Sequence, residues 1–94
     1  DREKKYGSFA ANAHIAQVLQ NFARTTNGWY RLPDTQREAI EMIFKKIARQ
    51  INGAKDYPDN FHDIAGYAML AEQEILSQLR EKSEDETDIL ANLR

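Results

Sequence analysis

QREAIEMIFKKIARQINGAKDYPDNFHDIAGYA, residues Gln36–Ala68, contains the clearest signals of the fold of this chain. It predicts two helices joined by a short connection, because apolar residues recur at helical spacing on both sides of a segment that contains glycine and proline. Residues three apart lie on one side of a helix, so polar residues at that spacing form a cluster of oxygen atoms. Each predicted helix carries one such pair: Glu38 with Glu41, and Asn60 with Asp63.

The whole chain is predicted to be all-α, a single domain built as an antiparallel helical bundle of three main helices plus a short C-terminal helix. Residues 1–7 form a polar lead, and residues 8–82 hold the core helices. The first helix runs from about Phe9 to Arg24 with Ser8 as its cap, and the second from Asp34 or Thr35 to Asn52-Gly53, where glycine can take the left-handed conformation. Asp59 or Asn60 caps the third, which ends near Lys82. Residues 83–94 form an acidic amphipathic tail helix that starts at a Ser83–Glu86 capping box.

Each main helix has an apolar stripe that we expect to form the core. The stripes are Ala11, Ile15, Val18, Leu19 and Phe22; Ile40, Ile43, Phe44, Ile47 and Ile51; and Ile64, Ala68, Ala71, Ile75 and Leu79. Trp29, Tyr30 and Leu32 place three large side chains in a loop, which is either pinned to the core or shapes a pocket.

Composition excludes several classes of protein. A net charge of −2 lacks the positive field that duplex binding needs, so nucleic-acid polymers are excluded as partners. The absence of cysteine removes disulfides and thiolate metal sites, and no apolar run is long enough to span a membrane, so we expect a cytoplasmic protein. A chain of 94 residues has a thin core, which favours a homo-oligomer, a dimer or higher. The chain starts at Asp1 rather than Met, and we expect residues before it.

The two oxygen clusters predict a metal site. Carboxylate and amide oxygens suit Mg²⁺ or Mn²⁺, which keep several waters and bridge to phosphates. A structural role is also open to each residue: Glu38 can complete a capping box with Thr35, Glu41 can pair with Lys45, Asn60 can cap a helix, and Asp63 can favour a helix dipole. Because Glu38 and Glu41 lie near the start of their helix, meeting Asn60 and Asp63 requires a crossing geometry or a second subunit.

Further residues are candidates for binding a ligand. Lys45 shares the side of Glu41 and either neutralises a phosphate or pairs with Glu41, whereas we expect Lys46 to point elsewhere and be solvated. Arg49 either reaches an anion or is solvated. Tyr6, Phe9, Trp29 and Tyr30 either stack on a base or belong to the core. Tyr67 lies beside Asn60 and Asp63 on the helix, and its neighbour Gly66 suggests close approach by another backbone or by a ligand.

The spacing Glu38-x-x-Glu41, eighteen residues, Asn60-x-x-Asp63 resembles the ExxE…ExxD signature of the all-α, MazG-like nucleoside triphosphate pyrophosphohydrolases. More closely, YGSF (6–9), QREAIEMIFKKIARQING (36–53) and DNFHDIAGYA (59–68) are similar to a family of short phage and prophage proteins, over about Tyr6 to Ala71. The resemblance implies that Glu38, Glu41 and Asp63 hold Mg²⁺ against the phosphates of a nucleotide, which a water cleaves to a monophosphate and pyrophosphate.

Asn60 departs from that pattern, because the enzymes carry Glu there. An amide can coordinate Mg²⁺ but cannot take up a proton, so turnover is put in doubt more than binding. Two hypotheses stay open. One is a Mg²⁺-dependent pyrophosphohydrolase; the other is a noncatalytic nucleotide binder, for instance a phage protein that sequesters a nucleotide signal of host defence in the cytoplasm of the host cell.

Overall fold

Four helices make up most of residues 6–93, the part of the chain that this computed structural model describes. They are α1 (Phe9–Arg24), α2 (Asn27–Arg31), α3 (Asp34–Asn52) and α4 (Asp59–Asn92). No strand occurs within residues 6–93, so the all-α prediction is confirmed. The predicted polar lead falls largely on residues 1–5, which lie outside the described residues, as does Arg94. None of the helices in the described range is both long enough and apolar enough to cross a bilayer.

Local signals in the sequence located the ends of two helices correctly. The hydroxyl oxygen of Ser8 accepts a hydrogen bond from the Ala11 amide at 3.2 Å, which is the predicted cap of α1. The bounds of α3 also agree with the prediction, but the details of its ends differ. Pro33 occupies the N-cap without a side-chain hydrogen bond, so the Thr35–Glu38 capping box is wrong. Gly53 has a φ of −108°, so the predicted left-handed closure is wrong as well.

The segment predicted as an aromatic loop contains the short helix α2. Thr26 starts it, because the Thr26 side-chain oxygen accepts a hydrogen bond from the Trp29 amide at 3.3 Å. Trp29 is only 6% exposed, whereas Tyr30 is 62% exposed. The two aromatic residues therefore have different roles: Trp29 fixes α2 to the rest of the chain, and Tyr30 is available at the surface.

The predicted break at Lys82–Ser83 is wrong, because α4 continues through it to Asn92. Ser83 does not cap a new helix; its carbonyl accepts a hydrogen bond from the Thr87 hydroxyl at 3.0 Å inside a regular helix. The physical reason is the absence of a helix breaker, since residues 67–93 contain neither glycine nor proline. A capping box starts a helix only where the preceding chain has left the helical conformation. The structure thus differs from the predicted three main helices plus a tail helix. It has two helices of medium length, α1 and α3, the short α2, and one long helix, α4, that includes the predicted tail.

α3 lies in the centre of a flat layer, with α1 on one side and α4 on the other. Asn52 bonds Asn12 at 3.0 Å and Glu41 pairs with Arg24 at 3.7 Å, which shows that α1 runs antiparallel to α3. The layer measures 65 × 29 × 13 Å, and its radius of gyration is 18.5 Å. A compact domain of this length has a radius of gyration of about 12 Å. The single chain is therefore an open layer one helix thick.

The large apolar stripes face one side of this layer instead of forming a closed core. Small side chains make the contacts between helices, with Ala48 fully buried and Ala39 8% exposed. Because α1 and α4 both run antiparallel to α3 on opposite sides of it, the common handedness of the helices brings the three stripes to the same face. We call this the apolar face; several of its side chains are largely exposed, namely Val18, Phe22, Ile51 and Leu79. The predicted core of Val18, Phe22, Ile51, Ala68, Ile75 and Leu79 is thus exposed in the single chain.

Candidate functional site

Glu38 and Glu41 line one open cleft at the N-terminal end of α3. The cleft has a volume of about 420 Å³ and combines three carboxylates with two guanidinium groups and two aromatic rings. We call it the outer cleft; it is lined by Arg24, Trp29, Tyr30, Asp34, Arg37, Glu38 and Glu41. α1 ends at Arg24, α2 carries the aromatic residues and α3 begins at Asp34, so the two short connections around α2 bring all these groups together.

Ion pairs occupy part of the outer cleft. Arg24 lies 3.7 Å from Glu41, a loose contact between half-exposed side chains, and Arg37 pairs with Asp34 at 2.5 Å one turn earlier on α3. The predicted Glu41–Lys45 pair is therefore replaced by a pair between α1 and α3. Glu38 has no ion pair with any other described residue. It also lines a second cavity, of about 390 Å³, together with Tyr67 and Glu74 of α4.

Asp63 is held by Lys46, at 2.9 Å from its ammonium nitrogen. The hydrogen bond from Lys46 and the positive charge of that residue outweigh partial desolvation and lower the pKa of the Asp63 carboxyl below its ordinary value of 3.8. The prediction that Lys46 points away and is solvated is wrong, because its side chain is only 14% exposed. Lys46 lies on the side of α3 that packs on α4, where a charged group gains a partner.

Asn60 is the most deeply buried polar residue of the described chain, at 1% exposure. Its side-chain nitrogen donates a hydrogen bond to the Gln50 side-chain oxygen at 3.3 Å, across the α3–α4 interface. Pro58, not Asp59 or Asn60, occupies the N-cap of α4, so the predicted capping role of Asn60 is wrong. A buried polar group needs a hydrogen-bond partner, and the Asn60 amide has one in Gln50. This explains why an uncharged polar residue lies between the two helices.

The two pairs of polar residues do not converge within one chain. Asp63 is level with Lys46, which lies five residues along α3 from Glu41, about 7.5 Å of helix rise, and eight residues from Glu38, about 12 Å. In addition, Glu41 turns towards α1 and Asp63 belongs to α4, on the opposite side of α3. Accordingly, residues 6–93 contain no group of three or more His, Asp or Glu side chains placed to hold a metal ion.

The remaining predicted ligand-binding residues are distributed over separate places. Lys45 and Arg49 line a groove between α1 and α3. Tyr67 lines one cavity between α3 and α4 and a second that is bordered by α4 residues alone. Trp29 lines the outer cleft but is mostly buried. A Cβ atom on Gly66 would meet nothing within 4 Å, so the close approach predicted there is not made by any part of the described chain.

Tyr6, also predicted to bind a ligand, instead clasps the far end of α3. Its ring contacts Tyr57 edge-on at 5.5 Å and lies 5.3 Å below the Arg49 guanidinium. The Tyr6 hydroxyl donates to the Tyr57 oxygen at 3.3 Å, and Tyr57 donates to Asp59 at 2.7 Å. The bond with Tyr6 and then the bond to Asp59 raise the pKa of Tyr57 well above its ordinary value.

Gly7 completes this clasp and explains why glycine follows Tyr6. Its φ is +78°, and a Cβ atom there would lie 2.4 Å from the Asn52 backbone carbonyl oxygen and 2.1 Å from the Asn52 side-chain nitrogen Nδ2. Asn52 in turn donates to the Asn12 side chain at 3.0 Å. The YGSF segment thus has a structural role, in which Tyr6 and Gly7 pack on α3 and Ser8 starts α1.

Three residues of these sites were missed by reasoning from the sequence: Gln20, Arg24 and Arg37. The signal for Arg24 was its position as the last residue of α1, because an antiparallel arrangement places that end near the start of α3. Gln20 had a weaker signal, as it shares its side of α1 with the small residues Ala13, Ala16 and Ala23. That side, rather than the large apolar stripe, packs on α3, and Gln20 is only 5% exposed.

Comparison with known proteins identifies a family. None of the curated proteins and none of the solved structures compared with the chain matches it. A family model described as a domain of unknown function (DUF6378) matches residues 1–75, which hold α1, α2, α3 and the first half of α4. The matched part includes the outer cleft, the clasp at Tyr6 and both pairs of polar residues. The chain therefore belongs to the DUF6378 family.

Proposed function

We propose that this protein binds a nucleotide, or a small molecule derived from one, together with Mg²⁺ or Mn²⁺ at the outer cleft. The observation that carries the proposal is that Glu38, Glu41, Arg24 and Arg37 line the same cleft as the exposed ring of Tyr30. Phosphates need cationic partners, a base gains from an aromatic surface, and a hard metal ion needs carboxylate oxygens. The outer cleft offers all three within a volume of about 420 Å³.

The metal fits the donors that are present. Mg²⁺ is commonly bound through one or two carboxylates while phosphates and waters complete its shell, and Glu38 and Glu41 would supply two carboxylates. The metal, when bound, would bridge the protein to the phosphates. Arg24 and Arg37 would add charge-assisted hydrogen bonds to phosphate oxygens, the first by leaving its loose contact with Glu41.

The arrangement of the side chains favours binding without turnover. Asp63 is paired with Lys46, and Asn60 is buried against Gln50, so neither is directed towards the outer cleft. A third carboxylate or a general base from α4 would have to move from these partners. A noncatalytic binder, such as a phage protein that sequesters a nucleotide signal of host defence, fits this arrangement.

Hydrolysis of nucleoside triphosphates is the second candidate. The spacing of Glu38, Glu41, Asn60 and Asp63, which resembles that of the MazG-like pyrophosphohydrolases, favours it. In that case Asp63 would exchange Lys46 for a metal ion. The two candidates differ in the state of the recovered ligand: a binder returns it unchanged after the complex is denatured, and a hydrolase returns a monophosphate and pyrophosphate.

The test is calorimetric titration with each ribo- and deoxyribonucleoside triphosphate in the presence of Mg²⁺. We expect at least one to bind, and we expect Glu38→Gln to weaken binding about tenfold or more by removing a metal ligand. Glu72→Gln on the exposed surface of α4 is the matched control and should leave the affinity unchanged. Failure of every nucleotide to bind would refute nucleotide binding, and an unaltered affinity in Glu38→Gln would refute the metal site.

Self-association through the apolar face belongs to the same proposal. A second copy is the occupant that the thin core of the single chain favours, because side chains such as Phe22, Ile51 and Leu79 are more than half exposed. Lys45 and Glu38 lie on the opposite face of α3, so a copy docked on the apolar face would leave the outer cleft open. The nucleotide site would then be carried by each chain separately rather than completed across the subunit boundary.

A further inference from the structure

A groove between α1 and α3 continues from the inner end of the outer cleft. It consists of two adjoining cavities of about 200 and 360 Å³, which share Ala16, Gln17 and Lys45. The smaller cavity also reaches Arg24 and Glu41, the ion pair that lines the outer cleft. The groove therefore begins where the outer cleft ends and runs along α3 towards Arg49.

The groove contains two neighbouring positive charges that form no ion pair within residues 6–93. Lys45 and Arg49 are four residues apart on α3, and neither has a carboxylate within 4.0 Å among the described residues. Like charges at this spacing destabilise a helix. Arg49 lies over the ring of Tyr6, which orients its guanidinium, and its charge acts on Asp63 only through a Coulombic interaction without an ion pair. In an acidic chain, two such cations in one groove point to an anion that is supplied from outside.

Gln20 provides an independent observation at the same place. It is 5% exposed and lines the smaller cavity, and its side-chain nitrogen donates a hydrogen bond to no acceptor in the described chain. A buried donor without an acceptor costs about 1–3 kcal/mol. The χ3 torsion of glutamine, about the Cγ–Cδ bond that carries the amide group, is soft, so the NH₂ group can turn to an acceptor that enters the cavity. An oxyanion beside Lys45 would supply that acceptor.

We propose that the groove between α1 and α3 is an oxyanion site, in which Lys45 and Arg49 supply positive charge and Gln20 donates a hydrogen bond. The ligand chemistry is that of a phosphate or a carboxylate group. The site needs no metal ion, since Glu41 is directed to Arg24 and no other carboxylate lines the groove. It is separate from the metal–nucleotide site of the outer cleft and does not depend on it.

The test uses inorganic pyrophosphate, inorganic phosphate and citrate as probes, each titrated in EDTA while the side-chain NH₂ resonances are followed by NMR. We expect pyrophosphate to shift the Gln20 NH₂ resonance and Lys45→Gln to weaken its binding about tenfold. Lys55→Gln, in the exposed connection before α4, is the charge-matched control and should bind normally. Citrate and phosphate distinguish a carboxylate ligand from a phosphate ligand. If none of the three anions shifts the Gln20 resonance, the site does not exist.

A second variant separates the proposed role of Gln20 from a structural one. Gln20→Met keeps the length of the side chain but removes the amide, so we expect a higher thermal midpoint without anion and about tenfold weaker binding of pyrophosphate. A lower thermal midpoint would show that the amide already has a partner, and the inference would be wrong. Glu38→Gln should leave pyrophosphate binding in EDTA intact. Loss of metal–nucleotide binding and loss of the oxyanion site are therefore distinguished.

Discussion

Asp63, a predicted metal ligand, is held in an ion pair that would have to break before it could bind a metal ion. Its carboxylate would have to give up Lys46, 2.9 Å away, before it could bind a metal ion. The same contact holds the Asp63 pKa below 3.8, because Lys46 favours the charged form. An aspartate with a lowered pKa in the folded state stabilises the fold above its unfolded pKa, and this contribution is lost as the pH falls through the folded pKa.

Lys46→Gln should therefore raise the Asp63 pKa towards 3.8. The free energy of unfolding should then lose less as the pH falls below 3.8, because Asp63 contributes less to its pH dependence. The measurement is the Asp63 carboxyl ¹³C shift, followed by NMR from neutral to acidic pH. Lys45→Gln, one residue earlier but directed to the other side of α3, should leave the Asp63 pKa unchanged. Equal effects of the two variants would contradict the assignment of Lys46 as the partner.

Asn60 distinguishes the candidate functions at the same scale. The sequence shows an amide where the MazG-like enzymes carry Glu, and the structure gives that amide a buried position with Gln50 as its partner. A carboxylate at this position would be desolvated without a cation in hydrogen-bonding contact, which is costly. The residue thus fits the helix interface better than a metal site in the single chain, and it favours binding over hydrolysis.

At the scale of elements, α4 is the helix whose course differs most from expectation. Ser83 and Glu86 match a capping box in sequence, but the predicted helix start there is wrong, because no breaker lies between Tyr67 and Leu93 and the helix continues. About half of α4 extends beyond the family match, which ends at residue 75. That extension carries exposed leucines and isoleucines, among them Leu76, Ile89 and Leu90, beside several acids.

Two glycines, Gly66 in α4 and Gly7 before α1, allow a test of the packing between helices. Gly66→Ala should stabilise the chain by about 0.5–1 kcal/mol, because alanine favours the helix and its Cβ meets nothing within 4 Å. Gly7→Ala should destabilise it by about 1–3 kcal/mol, since Gly7 has a positive φ and contacts the Asn52 backbone. Denaturant unfolding of both variants measures the difference. A destabilising Gly66→Ala would indicate that a second chain approaches this helix closely.

At the scale of the whole molecule, an apolar face on a layer 13 Å thick predicts association. Phe22→Glu places a charge where a second copy would dock, so we expect the dissociation constant of the oligomer to rise about thirtyfold or more. Gln73→Glu, exposed on α4 and away from the apolar face, is the matched control. Light scattering coupled to gel filtration measures both. A wild-type chain that stays monomeric across micromolar to millimolar concentrations would refute self-association through this face.

The helical class, the bounds of α1 and α3 and the cap at Ser8 could be predicted without a structure, because periodicity and capping act over a few neighbouring residues. The side of each helix that is packed follows from contacts between the helices. That choice buries Ala48, leaves Phe22 and Leu79 exposed, and pairs Glu41 with Arg24 rather than Lys45. It depends on the rotation of each helix about its axis and on the axial register between helices, which arise from packing between distant segments and which no local pattern contains. The same register keeps Asp63 away from Glu38 and leaves Gln20 buried beside Lys45.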